Sequence, residues 1–215
     1  MILPDARVLF AAWRGVWGMY CVPLCGGKEE MLQFEKGAPN LQAWSVLPDG
    51  RWLAVSADRT LSDIGVIDLN ASSHLVNWLA NSRFTERRAT FSLMGRDIAF
   101  ESDQLGRTDV WVMNFSDGRG LTPVPVSRDG GLDPFWSRDG RTLYYTAGTK
   151  LMAADIEVAE PVRFGSPHGV LDLQSTHVFG IGPDGRFIAI KRERAPVTRL
   201  EIILNWADEI RQRIK

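Results

Sequence analysis

Apolar residues are grouped along this chain into short alternating runs, and each run follows a turn of the Pro-Asp-Gly-Arg type. Residues 48–55 (PDGRWLAV) and 138–145 (RDGRTLYY) show the pattern. The Asp-Gly pair suits a tight hairpin, because glycine accepts positive φ at little steric cost and aspartate tolerates it. An alternating apolar run after such a turn predicts a β-strand.

The turn recurs five times at a nearly constant interval. The steps between the arginines of successive copies are 44, 45, 45 and 45 residues, and these arginines are Arg7, Arg51, Arg96, Arg141 and Arg186. A fixed period of roughly 40–50 residues is typical of a protein built from repeated units, none of which can bury its apolar face alone. Residues 93–94 (LM) replace Pro-Asp in the third copy and Ala6 replaces glycine in the first, so we expect looser hairpins there.

Each repeat contains sequence for four short strands. A second apolar run follows the first, as at residues 63–69 and 109–115, a weaker third run comes next, as at 122–126, and a fourth leads into the next turn. Four antiparallel strands in a repeat of this length predict a β-propeller blade. The predicted fold class is therefore all-β, a propeller of about five four-stranded blades.

The fourth run ends in an aromatic residue followed by serine, and the pairs are Trp44-Ser45, Phe91-Ser92 and Trp136-Ser137. Recurring aromatic residues in a repeat protein usually pack between neighbouring units. We therefore expect these side chains to pack between blades rather than to form a ligand site.

The repeats fill a single predicted domain over residues 1–215, with units at about 1–45, 46–91, 92–136, 137–181 and 182–205. Residues 200–204 (LEIIL) form the last predicted strand. Asn205 suits a helix N-cap, and the apolar spacing of Trp206, Ile210 and Ile214 predicts a short C-terminal helix over 206–214. We expect this helix to pack on the sheets as a lid, and partner binding is the alternative.

The first and last predicted blades are incomplete. The chain starts at a turn with no strand before it, so the first blade lacks its inner strand, and the last blade lacks its outer one. Unpaired sheet edges tend to pair with other chains. Three outcomes stay open: the first and last blades meet in a five-bladed ring, the chain is a piece of a larger ring, or it self-associates through its open edges.

Charge narrows the classes of partner. The 25 basic and 26 acidic residues give a net charge of −1, which argues against a nucleic-acid partner or an anionic membrane surface. A solvated face explains the basic pair Arg87-Arg88 adequately. No apolar run approaches the length of a transmembrane span, and residues 1–7 lack the features of a signal peptide. The expected location is the cytoplasm, or the periplasm if an export signal precedes Met1.

The sequence contains no recognisable motif for catalysis, a cofactor or a metal. Residues 165–169 (GSPHG) have the wrong spacing for a Gly-x-Ser-x-Gly nucleophile elbow. Cys21 and Cys25 are expected to be free thiols, and the three histidines are scattered, which argues against structural zinc. We therefore expect no catalytic, cofactor-binding or metal-binding residues.

Acidic residues at the starts of predicted strands are candidates for a catalytic pair in a propeller channel, and they are Asp63, Asp103, Asp109 and Asp133. Two such carboxylates could act as acid and base. Turn and capping preferences explain their recurrence more simply. We therefore expect the chain not to be an enzyme.

The ordered motifs resemble the WD-type repeats of the TolB-like β-propeller family, in which Trp-Ser-Pro-Asp-Gly-Arg precedes an Ile-Ala-Phe-type strand. Residues 98–107 (IAFESDQLGR), 134–141 (PFWSRDGR) and 203–206 (ILNW) follow the pattern of one subgroup in order. That subgroup resembles the C-terminal propeller of large bacterial proteins that carry a serine/threonine kinase domain or a winged-helix DNA-binding domain upstream. The resemblance covers nearly the whole chain and implies a non-catalytic binding or scaffolding module.

We expect a protein or peptide ligand on one propeller face, bound by loops that the rigid blades hold in place. The loops around residues 103–109 and 130–134 are the preferred surface. Two alternative functions stay open. One is an accessory propeller of a hydrolase, either a peptidase or a glycosidase, and the other is a TolB-type scaffold in the periplasmic envelope.

Overall fold

The computed structural model describes residues 1–15, 17–32, 34, 40–57, 62–174, 176–182 and 184–191. Every regular element in these ranges is a β-strand. The strands are β1 (Arg7–Trp13), β2 (Trp17–Pro23), β3 (Glu30–Met31), β4 (Leu41–Val46), β5 (Trp52–Ala57), β6 (Ile64–Asp68), β7 (Val76–Ala80), β8 (Glu86–Phe91), β9 (Asp97–Ser102), β10 (Asp109–Ser116), β11 (Arg119–Gly120), β12 (Val124–Pro125), β13 (Leu132–Trp136), β14 (Thr142–Ala147), β15 (Lys150–Ala159), β16 (Val162–Phe164), β17 (His168–Asp172), β18 (Thr176–Ile181) and β19 (Phe187–Lys191). The predicted strand at 200–204 and the predicted helix at 206–214 lie outside the described residues.

The strands form five small antiparallel sheets arranged as a five-bladed β-propeller, which confirms the predicted fold class. The second blade has the strand order β4-β5-β6-β7. The third has the order β8-β9-β10-β11 with β12 also paired to β10, and the fourth has the order β13-β14-β15-β16 with β17 also paired to β15. Within the described residues, the first sheet consists of β1-β2-β3 and the last of β18-β19. In a propeller the blades surround a central channel, and residues of β4, β8, β13 and β18, the first strands of the second to fifth blades, line a cavity there.

The turns between the first and second strands of the blades share one backbone hydrogen bond. In the second copy, Gly50 adopts a φ of 79° and its N–H donates to the Leu47 carbonyl at 2.8 Å. Gly95 in the third copy and Ala6 in the first make the equivalent bond at 2.9 and 3.1 Å. Both atypical copies therefore keep the hydrogen bond of the turn, because the bond requires only a residue at positive φ. Gly95 supplies this conformation at little cost, and Ala6 adopts it at 61°.

The core is divided into clusters that lie between neighbouring blades. Between the second and third blades, the Phe115 ring packs edge-on against Phe91 and Trp52, with centroid distances of 5.0 and 5.9 Å. Trp136 is buried in the cluster between the third and fourth blades. These contacts confirm inter-blade packing for Phe91 and Trp136.

The first and last sheets along the chain present apolar side chains at their surfaces. Trp13 and Trp17, beside the turn between β1 and β2, are 65% and 45% exposed. Ile188 and Ile190 of β19 are 55% and 56% exposed. Exposed apolar side chains on short sheets favour pairing with other surfaces. Self-association, one of the three outcomes that the sequence leaves open, would therefore involve these two sheets.

Candidate functional site

The first strands of four successive blades surround a cavity of about 190 Å³ in the central channel. We call it the inner cavity, and its walls include Trp44, Arg88, Asp133, Phe135, His177 and Val178. These residues belong to β4, β8, β13 and β18. Because each of these strands is fixed in its sheet by hydrogen bonds, the side chains are held by a rigid frame.

A second cavity of about 380 Å³ adjoins the inner cavity. We call it the mouth cavity, and its walls include Gln42, Trp44, Ser56, Ser62, Thr85 and Arg87. Trp44 and Arg88 line both cavities, so these two side chains form the boundary between them. The channel therefore offers two neighbouring compartments, with polar groups and one large aromatic ring at their junction.

The two channel arginines share a buried carboxylate. Glu101 on β9 is fully buried, and its Oε2 accepts a hydrogen bond from the Nε of Arg87 at 2.8 Å. The Nε of Arg88 lies 3.5 Å from the other oxygen, Oε1, which also accepts the backbone N–H of Asp133 at 2.7 Å. Arg88 completes the network with an ion pair to the Asp133 carboxylate. One buried anion thus positions two cations and the first strand of the next blade.

A β-bulge in β8 explains why two consecutive arginines reach the same carboxylate. Consecutive side chains of a regular strand point to opposite faces of the sheet. In β8 the pairing register shifts between Arg87 and Thr90, and Arg88 adopts a φ of 56°. A bulge of this kind re-aims a side chain. Arg87 and Arg88 are therefore both turned toward Glu101.

The same irregularity recurs one repeat later. In β13 the register shifts between Leu132 and Phe135, and Asp133 adopts a φ of 52°. Arg88 and Asp133 are separated by 45 residues, which is the length of one repeat. The ion pair between them therefore joins equivalent positions of two adjacent blades. Bulges are often found beside functional sites, where they redirect side chains.

Trp44 lines the channel instead of packing between blades. Its Nε1 donates to the Ser56 Oγ at 2.7 Å, and the Arg88 guanidinium carbon lies 5.3 Å from its ring centroid. Val46, rather than Trp44, has the register position that Phe91 has in the next blade. The expectation of inter-blade packing for Trp44 is wrong because its Trp-Ser pair lies two residues further from the turn than the other aromatic-serine pairs.

The carboxylates singled out from the sequence have separate structural positions. Asp133 lines the inner cavity, whereas Asp103 accepts a backbone N–H at 2.8 Å. Asp109 is fully buried and accepts hydrogen bonds from the Ser127 Oγ at 2.7 Å and the Gly130 N–H at 3.0 Å. The bond to Gly130 joins the two loops that the sequence favoured as a binding surface. Asp109 therefore holds these loops together.

Asp63 belongs to an acidic group at the start of β8. Glu86 in this group is buried, and burial raises the pKa of its carboxyl. A hydrogen bond from the Ser82 hydroxyl at 2.7 Å opposes the rise in pKa, and the negative charges of Asp63 and Asp103 add to it. Asp63 Oδ1 and Glu86 Oε2 have no hydrogen-bond partner among the described residues. Glu86 is thus a buried acid without an ion-pair partner among the described residues, whereas Glu101 contacts two arginines.

Sequence analysis missed the channel network. The interpretation of Arg87-Arg88 as a solvated face is incomplete, because both side chains, which are 46% and 44% exposed, also contact the buried Glu101. A usable indication was present in Glu101 itself. It directly follows the apolar run 98–100 (IAF), and a charge that is buried with such a run requires a partner.

Three further features bear on the classes of chemistry considered from the sequence. Both cysteines are free thiols as expected, Cys21 buried and Cys25 exposed. In the part of the chain that the structure describes, no group of three His, Cys, Asp or Glu side chains has the arrangement needed to hold a metal ion. The same ranges include no helix with the length and apolarity required to cross a membrane.

Solved structures with the same fold include two TolB proteins. A protein described as TolB from Agrobacterium tumefaciens is 19% identical, with a TM-score of 0.61 over 87% of this chain and 71% of that one. TolB from Acinetobacter baumannii is 19% identical, with a TM-score of 0.56 over 82% of this chain and 46% of that one. A puromycin-hydrolysing peptidase from Mycobacterium tuberculosis is 14% identical, with a TM-score of 0.58 over 86% of this chain and 35% of that one.

These likenesses establish the fold, because the identities are too low to carry function. The chain spans less than half the length of the Acinetobacter TolB and of the peptidase. No family model matches the chain, and no curated protein matches it. The chain therefore has a β-propeller fold in common with these two TolB proteins and with the peptidase.

Proposed function

We propose that this chain is a non-catalytic module that binds a peptide or protein segment in its central channel. The observation that carries the proposal is the pair of adjoining cavities, which Trp44, Arg87, Arg88 and Asp133 line. A concave site with an aromatic wall and a few convergent polar groups is typical of ligand binding. Two neighbouring cavities suit an extended ligand such as a peptide, because successive side chains can occupy successive cavities.

The backbone at the site supports this proposal. Arg88 and Asp133 adopt φ values of 56° and 52°, in the left-handed region. Such a conformation costs about 1–3 kcal/mol for a residue other than glycine, and it persists where the surrounding structure enforces it. Strained positions of this kind cluster at ligand sites, where they fix side chains before the ligand arrives. In this protein the strain places opposite charges of two blades beside the channel.

The motifs at residues 98–107 and 134–141 support a place for this module in a larger bacterial regulatory protein of the kinase type, as the family resemblance implies. The likeness to a puromycin-hydrolysing peptidase supports a second candidate, a propeller that serves a hydrolase. Both candidates involve peptide contact in the channel, and they differ in the domain attached to the propeller. Peptide mapping of the native protein by mass spectrometry distinguishes them, because a kinase-type or a hydrolase segment would be sequenced directly.

A random peptide library displayed on phage tests the binding role. Gln42 is exposed at the mouth cavity, so Gln42→Trp would obstruct the mouth without disturbing the core. Leu121→Trp is the matched control, because it adds the same indole at an exposed position outside both cavities. Selected peptides are expected to bind Gln42→Trp at least about tenfold more weakly than the unmodified chain, and Leu121→Trp equally well.

Two results would count against the proposal. Peptides that bind all three proteins equally would place the ligand on another surface and refute the channel as the site. A selection that enriches no peptide would refute the peptide-binding role itself.

A further inference from the structure

We infer that the mouth cavity binds a carboxylate group of the peptide ligand, with the guanidinium of Arg87 as its principal partner. The inference rests on the proposed function, because it names the chemistry that the channel would recognise in a peptide. An acidic side chain and a chain end present the same two oxygens. The test below distinguishes these two sources.

Arg87 is anchored at one edge of its guanidinium and open at the other. Its Nε donates to Glu101 at 2.8 Å, while the side chain stays 46% exposed in the mouth cavity. Its two terminal nitrogens donate no hydrogen bond to any described residue. The terminal edge of a guanidinium presents parallel N–H groups that match both oxygens of a carboxylate. Because Glu101 fixes the orientation of the group, little side-chain entropy is lost when a ligand binds.

The surroundings of Arg87 are rich in hydrogen-bond donors. The Ser56 hydroxyl lines this cavity, is itself buried, and accepts the Trp44 indole N–H at 2.7 Å while carrying a proton of its own to donate. The Gln42 amide is exposed at the same cavity. Among the described residues that line this cavity, Arg87 and Arg88 carry the only charges. A ligand with acceptor oxygens therefore matches the hydrogen-bond donors of the mouth cavity.

Charge balance disfavours a ligand with two negative charges. The network pairs the two positive charges of Arg87 and Arg88 with the two negative charges of Glu101 and Asp133. A dianionic phosphate would add two uncompensated charges beside a buried carboxylate, whereas a carboxylate adds one. Uncompensated charge in a partly buried site is costly, and the cost rises with the charge.

Three short peptides provide the test. The first is an acetylated and amidated pentapeptide with a central glutamate flanked by serine and glycine. The second has glutamine in place of the glutamate, and the third has glutamine and a free C-terminal carboxylate. Binding is followed in ¹⁵N spectra through the indole N–H of Trp44, which lies in both cavities and is assigned with a Trp44→Phe variant.

Each acidic peptide that reaches the site is expected to bind at least about tenfold more tightly than the neutral peptide, because it adds charge-assisted hydrogen bonds. The glutamate peptide reports on an acidic side chain, and the free-carboxyl peptide reports on a chain end. Arg87→Gln should remove the preference for the acidic peptide. Arg87→Lys keeps the positive charge opposite Glu101 but lacks the planar fork, so it should retain the fold and lose most of the preference. Arg163→Gln, which removes an exposed arginine on β16, is the matched control and should change nothing.

The inference is overturned if the neutral peptide binds as tightly as both acidic peptides, or if Arg87→Gln keeps the preference. In either case the proposed function still stands, provided that binding is lost in Gln42→Trp. If no peptide shifts the Trp44 resonance, the carboxylate inference fails. The proposed function then depends on the phage selection alone, which tests it independently.

Discussion

Replacing Glu101 by glutamine tests the electrostatic network around the channel most directly. The substitution keeps the shape of a fully buried side chain and removes the negative charge that Arg87 and Arg88 both contact. The amide oxygen can still accept the N–H of Asp133. The amide nitrogen, however, would face the Nε of Arg87, so that two donors oppose each other.

The expected loss of stability follows from these contacts. A lost hydrogen bond to a charged group costs about 1.5–3 kcal/mol. Breaking a fully buried ion pair costs about 3–5 kcal/mol, because an uncompensated charge stays in the interior. Arg87 and Arg88 are half-exposed and water can solvate them, so we expect a loss of about 2 kcal/mol in the free energy of unfolding. In a chain of this length that corresponds to a Tm lower by about 4–8 °C.

Thermal unfolding followed by circular dichroism measures this effect, with Glu86→Gln as the matched control. Glu86 is buried to 3% exposure and forms no ion pair within the described residues, so its substitution removes the same charge from a similar depth. We expect Glu86→Gln to unfold at the same temperature as the unmodified chain or higher. If Glu101→Gln unfolds at the same temperature as the unmodified chain, or if both variants lose stability equally, the arginine contacts do not stabilise the propeller and our reasoning fails.

Three further predictions concern pH, packing and thiol chemistry. Burial raises the pKa of Glu86. The stability of the unmodified chain should therefore rise relative to that of Glu86→Gln as the pH falls from neutral through the raised pKa, and the difference should level off below the pKa of the unfolded state. Denaturant titrations that give parallel stability curves for the two proteins would contradict this. Gly118→Ala should lower the Tm more than Gly106→Ala does. Both glycines have positive φ, but a Cβ at Gly118 would lie 2.5 Å from a tryptophan ring, whereas a Cβ at Gly106 would have no atom within 4 Å. Equal losses of Tm in thermal unfolding would exclude the contact as the cause. Cys25 should react with a thiol reagent in the native protein. Cys21 is buried and its pKa is raised by burial, so it should react only after unfolding. Rapid modification of both thiols in the native protein would show that Cys21 is accessible and refute this prediction.

The propeller fold was predictable because its turns are local. A single residue at positive φ, such as Gly50 or Gly95, closes each turn by a bond to a residue three positions earlier, so a motif of a few residues carries the information. The apolar runs after the turns then pair with their neighbours in sequence. Inter-blade packing was predictable for Phe91 and Trp136 because both side chains lie at the same short distance from the turn. It failed for Trp44, because its position relative to the turn differs by two residues.

The channel site was not predictable, because it depends on how the repeats differ. Bulges lie at equivalent places in four first strands, at or next to residues 43, 88, 133 and 178, which follow one another at intervals of 45. The period therefore encodes the backbone irregularity that turns a side chain toward the channel. The residues at these places are Ala43, Arg88, Asp133 and Val178. A search for repeats detects what the copies share, whereas the ion pair between Arg88 and Asp133 exists because two copies carry opposite charges at a shared bulge. In a propeller of this kind, charged residues at the bulge positions are therefore the first candidates for a ligand site.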